Sequence, residues 1–234
     1  IFWISGGLLL IGGTLTAALV RESHQRPAGP WRPRWLGNLR ELLAVPGVPP
    51  LYLLCFLHAM LWLGNVPIIT IYTLQLIEAQ PAFATGASEA FWVGTMAVAL
   101  AVSSIFALSI GGRLIDRFNP SRVLVFTTAA AVLTHVPLLL LDTPLQLALS
   151  RVAFGLSVAV MQPVLFRLLK DHAPAGMDAR AISYASSFQM IAMGIAPFFA
   201  GLIGPALGLR AYFALNIVLA LGGLALWLRR ISDA

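Results

Sequence analysis

Seven stretches of this 234-residue chain are almost free of charge, and their lengths restrict the fold before anything else is read. Residues 1–20, 42–77, 90–112, 123–141, 181–209 and 211–228 contain no Asp, Glu, Lys or Arg, and residues 143–166 contain only Arg151. About 20 apolar residues, rising ~1.5 Å each in a helix, cross the ~30 Å hydrocarbon core of a bilayer. The runs are continuous and lack the period-two alternation of barrel strands. The expected fold class is therefore an all-α membrane protein of seven transmembrane helices, with cores at 2–20, 51–77, 91–111, 123–141, 145–166, 182–204 and 211–228. Composition agrees: 59% of residues are hydrophobic and 10% charged, against about 25% charged in a soluble domain. A soluble, disordered, collagen-like or disulfide-stapled protein is excluded, since Cys55 is the only cysteine.

The net charge of +6 would point to nucleic acid in a soluble protein, but the positions of the charges decide otherwise. Arg21, Arg26, Arg32, Arg34 and Arg40 lie between spans one and two, and Arg113, Arg117 and Arg122 between three and four. Arg167, Lys170 and Arg180 separate spans five and six, and Arg229 and Arg230 follow the seventh. The alternate loops, 78–89, 142–144 and 205–210, contain only Arg210. Basic residues favour cytoplasmic loops, so the long first loop and the C-terminus are expected in the cytoplasm, and no nucleic-acid partner is expected.

The first loop divides one span from six. Its Pro-rich part, RPAGPWRPR at 26–34, cannot be regular helix. Trp35, Leu36, Leu39, Leu42 and Leu43 then recur at helical spacing, which predicts either a short amphipathic helix at the membrane surface or an unstructured approach to span two. Ile1 opens directly into an apolar run with no signal-peptide pattern, so the chain reads as part of a longer one. Span one carries Gly12-Gly13 and span seven Gly222-Gly223, each after an aromatic pair, as the last helices of two successive repeats would.

The most specific local pattern is GGRLIDRFNPSR at 111–122, the turn between spans three and four. Gly112 would permit close helix approach, Asp116 can face a helix N-terminus, and Arg117 and Arg122 can pair with acids or phospholipid headgroups. An ordinary arginine-collecting inside loop is the alternative. The pattern resembles the Gly-x-Leu-x-Asp-Arg-x-Gly-Arg-Arg motif of major facilitator superfamily transporters. Gly112, Leu114, Asp116 and Arg117 match; Asn119 replaces the second glycine, and the later basic residue is Arg122.

The resemblance covers the whole chain and implies helices six to twelve of a twelve-helix transporter. Residues 1–20 would be the last helix of a preceding N-terminal half, 21–48 the cytoplasmic linker, 49–230 a six-helix bundle and 231–234 a tail. Arg151 and Gly155 resemble the Arg-x-x-x-Gly core of a helix-four motif, here in its pseudo-repeat. Gly194, Pro197, Gly201 and Gly204 resemble the Gly/Pro-rich motif of drug–proton antiporters. Together with Asn65, Pro67 and Tyr72, they point to bacterial multidrug efflux members.

Residue physics runs beside the resemblance. Arg151, inside span five, is either a cavity cation or an arginine reaching outward toward Asp142. Gly194, Gly201 and Gly204 would allow close packing of span six, and Pro197 a bend. Asn65 and Pro67 predict a kink in span two near mid-membrane. His58, Asn65, Tyr72 and Gln75, with Gln162 and Gln189, are candidate substrate contacts or else helix–helix hydrogen bonds. His135 reads as packing.

Scattered His24, His58, His135 and His172 offer no haem, quinone or metal set, and there is no His-Glu-x-x-His, Cys-x-x-Cys or intramembrane lysine. No catalytic residue, metal or cofactor is expected. No acid lies deep in any span, so a coupling carboxylate is expected in the upstream half, with His58 or Arg151 auxiliary. The resemblance implies alternating access in the bacterial inner membrane, with export of hydrophobic or amphipathic small molecules in exchange for protons. Proton-coupled uptake of a small nutrient, or a transport-inactive sensor of the same fold, is the alternative.

Overall fold

A computed structural model describes residues 2–20, 35–62, 64–80, 82–83 and 88–232, and every long element in it is helical. The chain divides into two units, 1–34 and 35–234. In the first, α1 (Phe2–Leu19) is an apolar helix whose fully described part, Gly6–Leu19, is shorter than the other apolar helices. The Pro-rich stretch 26–34 lies outside the described residues.

The second unit contains six helical segments long and apolar enough to cross a membrane: Val48–Ala79, Glu89–Arg117, Pro120–Leu139, Pro144–His172, Asp178–Leu207 and Leu209–Arg229. These correspond to the second to seventh expected spans. The unit starts earlier than the expected bundle, because α2 (Trp35–Ala44) belongs to it. Leu42 of α2 is fully buried among bundle residues, and the Tyr184 hydroxyl donates to the Trp35 carbonyl at 2.5 Å. The amphipathic pattern at 35–43 therefore turns one apolar edge to the bundle and leaves Trp35 and Leu36 exposed.

Local chemistry sets the helix ends. Ser88 caps α5 (Glu89–Arg117) by accepting from the Phe91 amide. Asn119 caps α6 (Pro120–His135) by accepting from the Ser121 amide, with Pro120 where no N–H is needed. A Thr143–Gln146 capping box starts α7 (Pro144–Val158). Gly208, at φ 82°, ends α9 (Asp178–Leu207) and reverses the chain into α10 (Leu209–Ser232).

Three of the expected single helices are interrupted, each beside a proline. Span two divides into α3 (Val48–Leu61) and α4 (Val66–Ala79). Span four passes from α6 into a 3-10 turn, Val136–Leu139, at Pro137. Span five divides into α7 and α8 (Met161–His172), with the turn at 159–160 preceding Pro163. Proline removes the donor for the carbonyl four residues back, so the breaks ahead of Pro67 and Pro163 fall about one turn before the ring, whereas the third begins at Pro137 itself. Conversely, α9 runs through Pro197 and Pro205 as one continuous helix.

Packing inverts the pattern of a soluble bundle. Val98, Val102, Ile105 and Phe106 form an exposed apolar stripe on α5, as a lipid-facing surface does. Inside, α3 packs on α9, α5 on α7, and α10 on α3, α6 and α9. The close face of α9 is built from Ala181, Ala185, Ala192 and Ala196, all fully buried. Gly194 and Gly201 instead have open space where a Cβ would stand, and Gly204 meets only the Leu209 side chain at 3.1 Å. The close packing expected at these glycines is thus supplied by alanines on the other face.

Candidate functional site

The polar residues singled out in the sequence fall into three separate places. The first is a buried hydrogen-bonded network at the break between α3 and α4. The Asn65 side chain donates to the Leu61 carbonyl at 2.7 Å, replacing the backbone donor that the interrupted helix lacks. Its Nδ2 also lies 3.3 Å from His135 Nε2. His135 Nδ1 faces the Ala131 carbonyl at 3.0 Å, which can only accept, so Nδ1 donates and Nε2 accepts from Asn65. Asn216 of α10 donates to Asn65 Oδ1 at 3.3 Å. One asparagine thereby joins α3, α6 and α10. His135, read as packing alone, is a member of this network. Asn216 was not singled out, although an amide among the apolar residues of span seven is its sequence signal.

Arg151 is nearby in kind but not hydrogen-bonded to the network. It is 3% exposed, its guanidinium carbon lies 4.8 Å from the centre of the Phe154 ring, and Nε and Nη2 have no partner among the described residues. The same Phe154 ring meets His135 edge-on at 4.6 Å. The outward reach to Asp142 is not seen: Arg151 is buried, and Asp142 pairs with Arg210 at 2.8 Å.

That pair belongs to the second place, a clasp at one end of the bundle. Arg210 also donates to the Leu141 carbonyl at 2.7 Å. Tyr72 donates to the Leu138 and Leu141 carbonyls at 3.1 and 3.3 Å, and its ring packs on Phe213. The Tyr72 hydroxyl is committed to the carbonyls left free after Pro137, so it ties α4 to the end of span four. Tyr72→Phe is expected to cost about 1 kcal/mol, read as a thermal midpoint lower by a few degrees in detergent. An unchanged midpoint would remove the clasp as a stabilising feature.

The third place is an open cleft of about 340 Å³ between α4 and α9. It gathers Pro67 and Gln75 from one helix and Pro197, Gly201 and Gly204 from the other. Ile68, Ile71 and Ala200 complete an apolar surface, and Gln75 is the one lining side chain with an amide. Small residues on α9 leave the space that side chains would otherwise fill. A cavity lined by spans two, five and six is what the sequence leads one to expect; this cleft brings together residues of spans two and six, and no residue of span five lines it.

The other candidates stand apart from it. His58 is fully buried, edge-on to Trp62 at 5.4 Å, with neither ring nitrogen hydrogen-bonded among the described residues. Gln189 is buried on the α3-facing side of α9 and its Nε2 has no partner there, while Gln162 is half-buried in α8. Gly155 is where α5 and α7 come closest: a Cβ would collide with Ser103 Oγ and lie 2.8 Å from the Leu100 carbonyl.

In the 111–122 turn, Gly112 is exposed and faces open space; the close approach is at Gly111, against Val160 at 3.0 Å. Leu114, Asp116, Arg117 and Arg122 are exposed, and the three charged side chains form no ion pair with described residues. Asn119 caps the next helix, a role Asp116 does not take. No group of three or more potential metal-ligating side chains occurs among the described residues.

The profile of the Major Facilitator Superfamily matches residues 51–234, most of the chain. Similar curated proteins include "Multidrug resistance protein MdtG" of Salmonella arizonae, 27% identical over 220 residues, covering 92% of this chain and 52% of that protein. The protein of the same name from Serratia proteamaculans is 27% identical over 225 residues, covering 94% of this chain and 52% of the relative. That from Enterobacter lignolyticus is 26% identical over 225 residues, with 94% and 51% covered. The chain thus spans about half the length of the curated relatives it matches.

Proposed function

The chain belongs to the Major Facilitator Superfamily and is an integral membrane protein, and from that premise we propose that it forms the second half of a secondary transporter. The proposed activity is export of hydrophobic or amphipathic compounds in exchange for protons, without catalytic chemistry, across a bacterial inner membrane. The cleft between α4 and α9 carries this reading. It is apolar, open, about 340 Å³ in volume, and lined by small residues with a single amide at Gln75. Such a surface suits ligands recognised by shape and hydrocarbon contact.

Alternating access would come from rocking of this bundle against a preceding half around the cleft. Residues 21–34 would serve as the cytoplasmic tether between halves, with the C-terminus on the same side, as the arginine distribution favours. Asp116 and Arg117 are exposed and unpaired within the described bundle, which fits a latch that closes on the opposite half. A carboxylate outside this chain would take the coupling proton, with buried Arg151 auxiliary to it. The multidrug names of the relatives support the substrate class proposed.

The test is accumulation of a lipophilic cationic dye in efflux-deficient cells producing the full-length protein, with and without an uncoupler. Dye is expected to be expelled until the uncoupler is added. Gly201→Phe should reduce expulsion several-fold at unchanged expression, because a side chain there enters open space and not a packed interface. Dye levels equal to those of cells lacking the protein, with sugar accumulating instead, would overturn export in favour of uptake.

A further inference from the structure

A second cavity, of about 310 Å³, lies between α5 and α6 and takes no part in the proposed transport cleft. α7 packs on both helices, and its Leu156 and Ser157, with Val160 in the turn that follows it, form the floor. Leu114, Phe118 and Phe126 form the walls, and Phe126 is 74% exposed. Two hydroxyls line the groove, and each already directs its hydrogen to carbonyls of its own helix. Thr127 donates to the Val123 and Leu124 carbonyls, and Ser157 to those of Ala153 and Phe154. The groove therefore presents hydrocarbon along its length.

Its charge is confined to one end. Arg122 is the only charged residue lining it, in the first turn of α6. Arg113 and Arg117 are exposed on the last turns of α5, and Asp116 is the one acid beside them. None of these four forms an ion pair among the described residues. From Arg122 to Ala130 the helix rises about 12 Å, close to the ~15 Å depth of one hydrocarbon leaflet.

We propose that this groove holds one acyl chain of an anionic phospholipid, from the leaflet at the α5–α6 turn, with the lipid phosphate on Arg122. Free phosphate would gain nothing from the apolar walls. A neutral lipid would gain little from three arginines facing one carboxylate. An amphiphile with a single anionic end and a hydrocarbon tail matches both halves of the groove.

The experiment places a tryptophan in the groove, Phe126→Trp, in the full-length protein, reconstituted in vesicles of phosphatidylcholine with brominated chains. The native tryptophan signal is subtracted with the parent protein. Unbrominated phosphatidylglycerol is then titrated in, and displacement of brominated lipid is read as recovered fluorescence. Recovery is expected at about fivefold lower mole fraction than with unbrominated phosphatidylcholine, the ratio that one arginine near a lipid surface gives. Arg122→Gln in the same background should bring the two lipids to within a factor of two. Equal recovery with both lipids, or a preference that survives Arg122→Gln, would overturn the proposal. So would the same preference at Leu149→Trp, an exposed position on α7 outside the groove. Phe126 and Arg122 are exposed, and a thermal midpoint on each variant separates misfolding from a changed lipid preference.

Discussion

Gly155→Val is expected to abolish recovery of monodisperse protein, and Gly155→Ala to lower the thermal midpoint by several degrees. The cause is the closest approach of α5 and α7, where a Cβ at 155 would run into Ser103 Oγ. The serine can turn away only by giving up its bonds to the Ala99 and Leu100 carbonyls, at 2.7 and 3.0 Å. The Leu100 carbonyl, 2.8 Å from the new atom, is backbone and cannot turn at all. Overpacking of this kind costs ~1–3 kcal/mol or more, which outweighs the ~1 kcal/mol that alanine gains over glycine in helix propensity. Valine adds two further methyls against the same carbonyl. Ser103→Gly should restore part of the alanine variant's loss and little of the valine variant's. Parent-like stability of Gly155→Val would show that the two helices separate freely there.

Asn65→Leu should destabilise the bundle by on the order of 3 kcal/mol. Three polar atoms lose their partner at once: the Leu61 carbonyl, His135 Nε2 and Asn216 Nδ2. An unsatisfied buried group costs ~1–3 kcal/mol, whereas interhelical hydrogen bonds measured in membranes average ~0.6 kcal/mol. The larger value applies best to Leu61, whose carbonyl faces a break where no backbone N–H replaces the amide. The check is a double-mutant cycle with Asn216→Leu. The second substitution should cost less in the Asn65→Leu background than in the parent; strict additivity would mean that the two amides do not share a network.

The spans were legible because hydropathy and charge act locally, residue by residue. All six apolar helices of the second unit fall where charge-free runs predicted them. The caps at Asn119-Pro120 and Thr143-Pro144 are local too, but the sequence reading did not single them out. What one helix does to another was less visible. Both Gly155 and Gly201 look like packing glycines in sequence, yet one is jammed against a carbonyl and the other borders open space. The difference lies in which face of the helix meets a neighbour, which no local pattern states. Arg210 and Asp142 were each placed near one end of the bundle, but their pairing depends on bringing together residues 68 positions apart. Pro137 and Pro163 were not singled out in the sequence, although each removes a backbone donor, because a proline alone does not distinguish a break from the unbroken passage of α9 through Pro197.

The side-chain bond from Asn65 to Leu61 also bears on how any mutational screen of this protein would be read. Asn65 is among the candidate substrate contacts, and loss of function on its substitution would look like loss of such a contact. Yet its amide completes the main chain: aspartate has no N–H to donate, and glutamine carries its amide one carbon farther out. Intolerance at position 65 would report grammar, not vocabulary. Variants such as those at Gly201, where the backbone asks for nothing, test the proposed cleft itself.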